Sequence, residues 1–233
     1  MNAKVINHDF ADKLSLGDAL ARDIASKLDA AIKARGKASL AVSGGGTPKL
    51  MFAVLAEQEI DWSKVTITLV DERWVDDDNE RSNARLVKDH LIHHEAHTAA
   101  FLPLFDKDHA DDVDAALADV GKSVEALGLP FDALILGMGP DGHTASFFPG
   151  GDHLAEALDL DGKQTVLSMR AGAAGEPRIT LSLPRVLDTR TLYLHIEGQD
   201  KKDILAKAQA GEDFPIGAVL KQDRVPVNVY WAP

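Results

Sequence analysis

The sequence predicts an α/β domain of three layers, a mainly parallel sheet with helices on both faces. Two patterns carry the prediction. Short, near-continuous apolar segments such as Val65–Val70 and Phe131–Leu136 alternate with longer stretches of helical period. Strands buried on both faces read this way, because parallel strands need crossovers that cover the sheet. Several of these segments also end in polar or glycine-rich loops, where ligands of such sheets bind. The chain has 233 residues, 45% of them hydrophobic, enough for one large core. No linker, repeat or low-complexity tract divides it, so residues 1–233 read as a single domain.

Each element has a local reason. Leu16, Leu20, Ile24, Leu28 and Ile32 form one helical stripe, and Gly36 can end it. Ser39–Ser43 reads as a short buried strand, followed by Gly44-Gly45-Gly46. Thr47 is placed to cap the next helix, with Pro48 at its first position and Lys49–Glu57 as its body. Val65–Val70 is β-branched and apolar and predicts a strand that runs straight into Asp71-Glu72-Arg73-Trp74. Ser82 or Asn83 can cap a helix to about His93, and Asp108–Leu127 has helical period. Phe131–Leu136 is the next strand. Further strands are expected at Thr165–Met169, Ile179–Leu183, Thr191–Ile196 and Val227–Trp231, with a helix over Lys201–Ala210.

Composition narrows the function. There is no cysteine, which removes disulfides, thiolate metal sites and cysteine nucleophiles. The N-terminus lacks the apolar stretch of a signal peptide, and no run reaches the roughly 18 apolar residues of a membrane helix, so a cytoplasmic protein without membrane contact is expected. The net charge of −12 argues against nucleic acid as a partner. It leaves room for an anionic small substrate, since a few cations and backbone N–H groups can hold one phosphate inside a negative global field.

Three loops leave predicted strands. Ser43–Pro48 (SGGGTP) joins a glycine run to a helix start. Gly44, Gly45, Gly46 and Thr47 are therefore candidates to hold an anion on backbone N–H groups, with a plain tight turn as the bland alternative. It is not a Walker loop, which needs G-x-x-x-x-G-K-[ST]. Asp71–Trp74 (DERW) brings two carboxylates and Arg73 to a strand end. Arg73 can grip a phosphate bidentately, or the group is a surface ion-pair cluster. Asp71 and Glu72 point to opposite faces if the strand continues through them, and Asn83 beyond them can face the same site.

Gly137–Ala145 (GMGPDGHTA) satisfies G-x-G-x-x-G, but Pro140 sits inside the motif and Phe147-Phe148-Pro149-Gly150 stops any helix within about two turns. A dinucleotide site is thus disfavoured. The glycines instead shape a loop that presents Asp141 and His143. A neutral imidazole suits proton abstraction from water, and a carboxylate can orient it. Spacing alone leaves open whether Asp141 or Asp71 is that carboxylate, or whether His143 merely caps a turn. Two further clusters are weak metal candidates. His93 and His97 lack a third ligand and the H-E-x-x-H pattern, and Asp76-Asp77-Asp78 lacks the calcium-loop spacing.

Taken in order, SGGGTP, DERWVDDDNERSN, ILGMGPDGHTASFFPG, PRITLSLPRVL and GQDKK resemble the 6-phosphogluconolactonases over nearly the whole chain. The resemblance implies a single α/β domain similar to the sugar-phosphate isomerase and deaminase fold. It also implies hydrolysis of 6-phosphoglucono-δ-lactone, a small sugar-phosphate substrate, without an organic cofactor; no metal is expected, because no compact ligand set is visible. Carried over, His143 is the general base, Asp141 its orienting residue, Arg73 a phosphate-pocket arginine and Arg178 a further substrate-side cation. Lys201 matches the GxxK lysine, with Lys202 beside it leaving the register open. A monomer or weak homo-oligomer is expected. The nearest rival is a glucosamine-6-phosphate deaminase or isomerase, whose FNEPG-like acid is absent from Ser146–Gly150. A non-catalytic sugar-phosphate sensor is the other, although no basic helix-turn-helix is present.

Overall fold

The computed structural model describes residues 4–128, 130–172 and 174–233. In chain order the elements are β1 (Val5–Asp9), α1 (Lys13–Arg35), β2 (Ala38–Val42), α2 (Lys49–Ala56), β3 (Val65–Leu69), β4 (Asp71–Arg73), α3 (Asn83–His90), β5 (Ala100–Leu102) and α4 (Val113–Ala126). They continue with β6 (Ala133–Leu136), α5 (Leu154–Leu158), β7 (Val166–Met169), β8 (Arg178–Leu181), α6 (Leu183–Leu187), β9 (Leu192–Glu197), α7 (Gln199–Gln209), α8 (Ile216–Lys221) and β10 (Val227–Ala232).

Helix α1 forms where the stripe predicts it. Leu16, Leu20, Ile24, Leu28 and Ile32 are all buried. Asp12 caps its start by accepting from the Ser15 N–H at 2.8 Å. Gly36 ends it at φ 76°, a left-handed turn that only glycine adopts without strain. The buried stripe packs against α2, β2 and β10. No helix among the described residues is long and apolar enough to cross a membrane.

Seven parallel strands make the main sheet in the order β1-β10-β9-β6-β2-β3-β5. From β2 the chain moves outward through β3 to β5, then returns to place β6 on the other side of β2. The crevice beyond β2 and β6 is therefore a topological switch point, where backbone ends diverge and a ligand can enter.

Three strands depart from the single-sheet expectation. β4, β8 and β7 form a separate antiparallel sheet in that order. β7 and β8 are buried along their whole length, so their apolar runs look like those of parallel strands. Val70 joins the two sheets. Its N–H donates to Val42 of β2 at 2.9 Å, and its C=O accepts from Leu181 at 2.8 Å.

Other boundaries shift for local reasons. Thr47 gives no side-chain cap, and α2 starts after Pro48. α4 begins at Val113 because Asp112 accepts from the Asp114 and Ala115 N–H groups, and Lys107–His109 ahead of it is a 3-10 turn. The strand expected to reach Leu183 stops at Leu181, and Pro184 sits in the first turn of α6. β1 and β5, the two sheet edges, carry weak patterns (VINHD and AFL) and escape the periodicity reading.

Asp71 and Glu72 do face opposite ways. Glu72 is fully buried and accepts four hydrogen bonds: from the N–H groups of Arg73, Asn83 and Ala84 at 2.7 Å each, and from Ser82 Oγ at 3.2 Å. It thus satisfies the orphan donors at the start of α3. Burial pushes its carboxyl up to about 7, against the pull of those N–H groups. Glu72→Ala should cost about 3 kcal/mol or more in urea unfolding, because several buried donors lose their acceptor. Raised above its ordinary 4.5, the group contributes stability that is full below that value and fades as pH rises through 7. Glu72→Gln, which cannot ionise, should flatten that fall in a stability–pH series.

Candidate active site

The carboxyl ends of β2, β6 and β9 meet the β4–β8 pair around a cavity of about 200 Å³. Ser43 ties two of these ends together: its Oγ donates to the Ile135 carbonyl at 3.0 Å and accepts from the Gly137 N–H at 3.1 Å. The glycine loop then runs along the rim. A side chain at Gly44 would collide with the Asn83 amide, so only glycine lets Asn83 reach over the loop. Asn83 Nδ2 donates to the Asp71 carbonyl at 2.9 Å, while its Oδ1 is buried without a partner. The backbone N–H groups of Gly44, Gly45, Gly46 and Thr47 donate to no protein acceptor among the described residues. They sit ahead of α2, whose dipole adds positive potential.

His143 sits in a closed loop. The Gly139 N–H donates to the His143 carbonyl at 2.9 Å and the Gly142 N–H to Gly139 at 3.1 Å. Thr144 Oγ1 donates to the Gly137 carbonyl at 2.7 Å. Any side chain at Gly139 would strike the imidazole, which explains the glycine there. No helix opens after Gly142; the chain turns until α5, so the G-x-G-x-x-G match has no dinucleotide geometry. Asp141 Oδ1 pairs with His143 Nδ1 at 2.5 Å and also accepts its backbone N–H at 3.2 Å. Partial burial pushes the Asp141 carboxyl up, but the His143 hydrogen bonds outweigh it and hold the group below its ordinary value. The Phe148 ring lies 4.4 Å from the imidazole, centroid to centroid. Nδ1 is thereby committed to Asp141, and Nε2 is left for the cavity.

Asp71 is occupied elsewhere: its Oδ2 accepts from Ser146 Oγ at 2.6 Å. The choice that spacing left open therefore falls to Asp141 as the carboxylate on His143.

Arg73 and Arg178 are direct cross-strand partners in the β4–β8 pair. Like charges opposed in this way repel. Arg178 is 5% exposed, donates from Nη2 to the Ala174 carbonyl at 2.7 Å and lies over the Phe148 ring at 5.4 Å. Burial pushes its pKa down; Asp71 pulls against this and Arg73 adds to it. Arg73 donates from Nη1 to the Arg81 carbonyl. Both Nε atoms are buried without a partner. Lys201 enters from the first turn of α7. No carboxylate among the described residues is within ion-pairing distance of it, and burial pushes its pKa down against the pull of Glu197. Lys202 is turned away to Asp9, at 3.1 Å, and to the Trp231 ring, which leaves Lys201 as the lysine on the cavity wall.

The cavity wall thus brings together Gly44, Gly45, Gly46, Thr47, Arg73, His143, Arg178 and Lys201, with Asp141 behind the imidazole. Asp71 and Asn83 join them. The sequence reading passed over His195, a histidine inside the apolar run of β9; a polar residue amid LYLHIE was the signal available. His93 and His97 stay outside the cavity, and no group of three or more His, Asp or Glu among the described residues is placed to hold a metal.

The arrangement sets an oriented imidazole beside three cationic side chains, of which Arg178 also lies 3.6 Å from Glu176. Residues 11–231 match the family model described as glucosamine-6-phosphate isomerases/6-phosphogluconolactonase. A 6-phosphogluconolactonase of Rhizobium meliloti is 50% identical, the match covering 97% of this chain and 98% of that one. One of Pseudomonas putida is 37% identical, with 99% and 94% covered. The crystal structure of a 6-phosphogluconolactonase from Shewanella baltica superposes with a TM-score of 0.93 at 40% identity, covering 99% of this chain and 98% of that one. With sequence, fold and cavity in agreement along nearly its full length, the chain belongs to the 6-phosphogluconolactonase family, within the group it shares with the glucosamine-6-phosphate isomerases.

Proposed function

We propose that this chain hydrolyses 6-phospho-D-glucono-1,5-lactone to 6-phospho-D-gluconate, the lactone step of the oxidative pentose phosphate pathway. The observation that carries the reading is the Asp141–His143 pair opening on a cavity whose wall holds Arg73, Arg178 and Lys201. The family relationship supports the same substrate. The chain acts in the cytoplasm on a small molecule, as a monomer or weak homo-oligomer, and needs no organic cofactor.

His143 Nε2 takes a proton from a water, and the hydroxide attacks the lactone carbonyl. Asp141 holds the imidazole in the tautomer with Nδ1–H and stabilises the imidazolium that forms. The tetrahedral oxyanion accepts from free backbone N–H groups of the cavity wall. Its collapse breaks the bond between C1 and the ring oxygen. The imidazolium returns its proton to the departing ring oxygen, which becomes the C5 hydroxyl, and the new acid ionises. Arg73, Arg178, Lys201 and the Gly44–Thr47 loop bind the phosphate, far from the reacting carbonyl, and so position it. The deaminase chemistry of the wider family lacks its acid here: Ser146 stands in that loop and is bonded to Asp71.

His143→Ala should lower kcat by roughly 10²–10⁴ with a smaller effect on KM. Asp141→Asn should lower kcat too, since it disturbs the tautomer. Stopped-flow assays corrected for the spontaneous rate, beside a thermal melt, check this; a folded His143→Ala at wild-type speed removes the base assignment. Arg73→Leu should reduce kcat/KM for the phosphorylated lactone by about 2–4 kcal/mol, and by clearly less for glucono-δ-lactone. Equal losses on both substrates would move the phosphate assignment to Arg178 and Lys201. Turnover should also persist after exhaustive chelation. Activity that disappears in chelator and returns with one divalent ion would overturn the metal-free mechanism.

A further inference from the structure

One carboxylate of the cavity wall has no step in this mechanism. Asp71, on β4, is 6% exposed and lines the cavity. Its backbone is fixed on both sides: the strand pairs Asp71 with Thr180 of β8, and the Asp71 carbonyl accepts from Asn83 Nδ2 at 2.9 Å. Oδ2 is fixed as well, by Ser146 Oγ at 2.6 Å. Oδ1 has no hydrogen-bond or ion-pair partner among the described residues. It is also not sealed in, unlike the unmet Nε atoms of Arg73 and Arg178. With so little of the residue exposed, the open side of Oδ1 is the cavity.

The surroundings select what this oxygen can bind. A carboxylate oxygen only accepts, and one held in a largely buried side chain is costly to leave without a donor. A phosphate dianion brings no proton and repels it. A cationic group of a ligand meets Arg73, Arg178 and Lys201 on the same wall, and no group of three or more His, Asp or Glu among the described residues is placed to hold a metal. A neutral O–H remains. The lactone ring offers three, on C2, C3 and C4. Strand alternation puts Asp71 and Arg73 on one face, and Ser146 ties Asp71 to the loop of His143. The carboxylate therefore adjoins both the loop of the proposed base and the arginine pair.

We infer that Asp71 Oδ1 accepts a hydrogen bond from a ring hydroxyl of the lactone and so makes the site specific for a hydroxylated ring; this rests on the lactonase reading above. The two oxygens then have separate roles: Oδ2 holds the loop of His143, and Oδ1 reads the sugar. A hydroxyl bound to a carboxylate is held more strongly than one bound to a neutral acceptor, and a ligand that lacks it leaves the oxygen unmet. Discrimination against the deoxy ligand follows.

The test measures binding to the full chain by titration calorimetry. The probe is 1,5-anhydroglucitol 6-phosphate, which keeps the ring, its hydroxyls on C2, C3 and C4 and the phosphate but has no carbonyl. It is compared with its 2-deoxy, 3-deoxy and 4-deoxy forms. Removing one of these hydroxyls should weaken wild-type binding about tenfold or more. In Asp71→Asn, whose amide oxygen can keep the Ser146 bond, that ratio should fall below about threefold. The lost charge tightens every phosphorylated probe alike, so the ratio is insensitive to it. Ser146→Ala cuts only the bond of the other oxygen and should leave the ratio near its wild-type value. Three results overturn the inference: no deletion weakens wild-type binding beyond about threefold, the ratio survives in Asp71→Asn, or Ser146→Ala abolishes it as fully as Asp71→Asn does, because Asp71 then acts only through the loop. The wild-type series depends on no variant, and none of the measurements needs turnover. A chain that shows the pattern but opens no lactone would refute the proposed function and leave this inference standing; lactone turnover without the pattern would do the reverse.

Discussion

The site depends on how the backbone passes from one sheet to the other at Val70–Arg73. Val70 bonds to β2 on one side and to Leu181 at the end of β8 on the other, which locks the small antiparallel sheet against the large parallel one. Strand geometry then alternates the next three side chains. Asp71 and Arg73 line the cavity, and Glu72 turns the other way to hold the first turn of α3. Because α3 is fixed by Glu72, Asn83 is fixed too, and its amide closes over Gly44. Asp71 in turn anchors the loop that carries His143, through Ser146. Two cavity loops and the arginine pair are thus positioned from a single short strand.

The electrostatics run against the global charge. The chain is strongly acidic, yet the cavity concentrates two guanidiniums opposed across a strand pair and one desolvated ammonium. Such a cluster is destabilising while it is empty, since like charges repel and buried donors go unmet. It becomes favourable when a dianion neutralises it. On the function proposed above, the strain on the free protein is converted into affinity for the phosphate end of the substrate, and that binding holds the lactone carbonyl near His143. The His143 imidazole, the proposed base, is held by its own carboxylate, Asp141, with the Phe148 ring packed against it.

Much of the frame was legible in the chain. The i, i+4 leucine and isoleucine stripe located α1, Gly36 its end, and the apolar runs located β2, β3, β6, β9 and β10, because burial imposes a period that local sequence must carry. Glycine runs and the DGH turn located the cavity loops, since close backbone approach and a tight turn restrict those positions to few residue types. The assignment of β7 and β8 to a second sheet was not legible: a strand buried on both faces shows the same apolar run whether its neighbours are parallel or antiparallel. β1 and β5 were missed because edge strands bury too little to enforce a pattern.

Residue chemistry and motif order by themselves determined the fold class, the set of loops that meet at the site and the candidate base. Only the tertiary structure decided the partnerships: Asp141 rather than Asp71 on the imidazole, Lys201 rather than Lys202 in the cavity, Arg73 set directly against Arg178, and a buried His195 beside Glu197. The reason is physical. A motif records what a backbone segment can do locally. Which side chain faces which, and which polar atoms are left unmet, depends on strand register, on helix phase and on contacts between residues as far apart as Asp71 and Ser146, and these exist only once the chain has closed on itself.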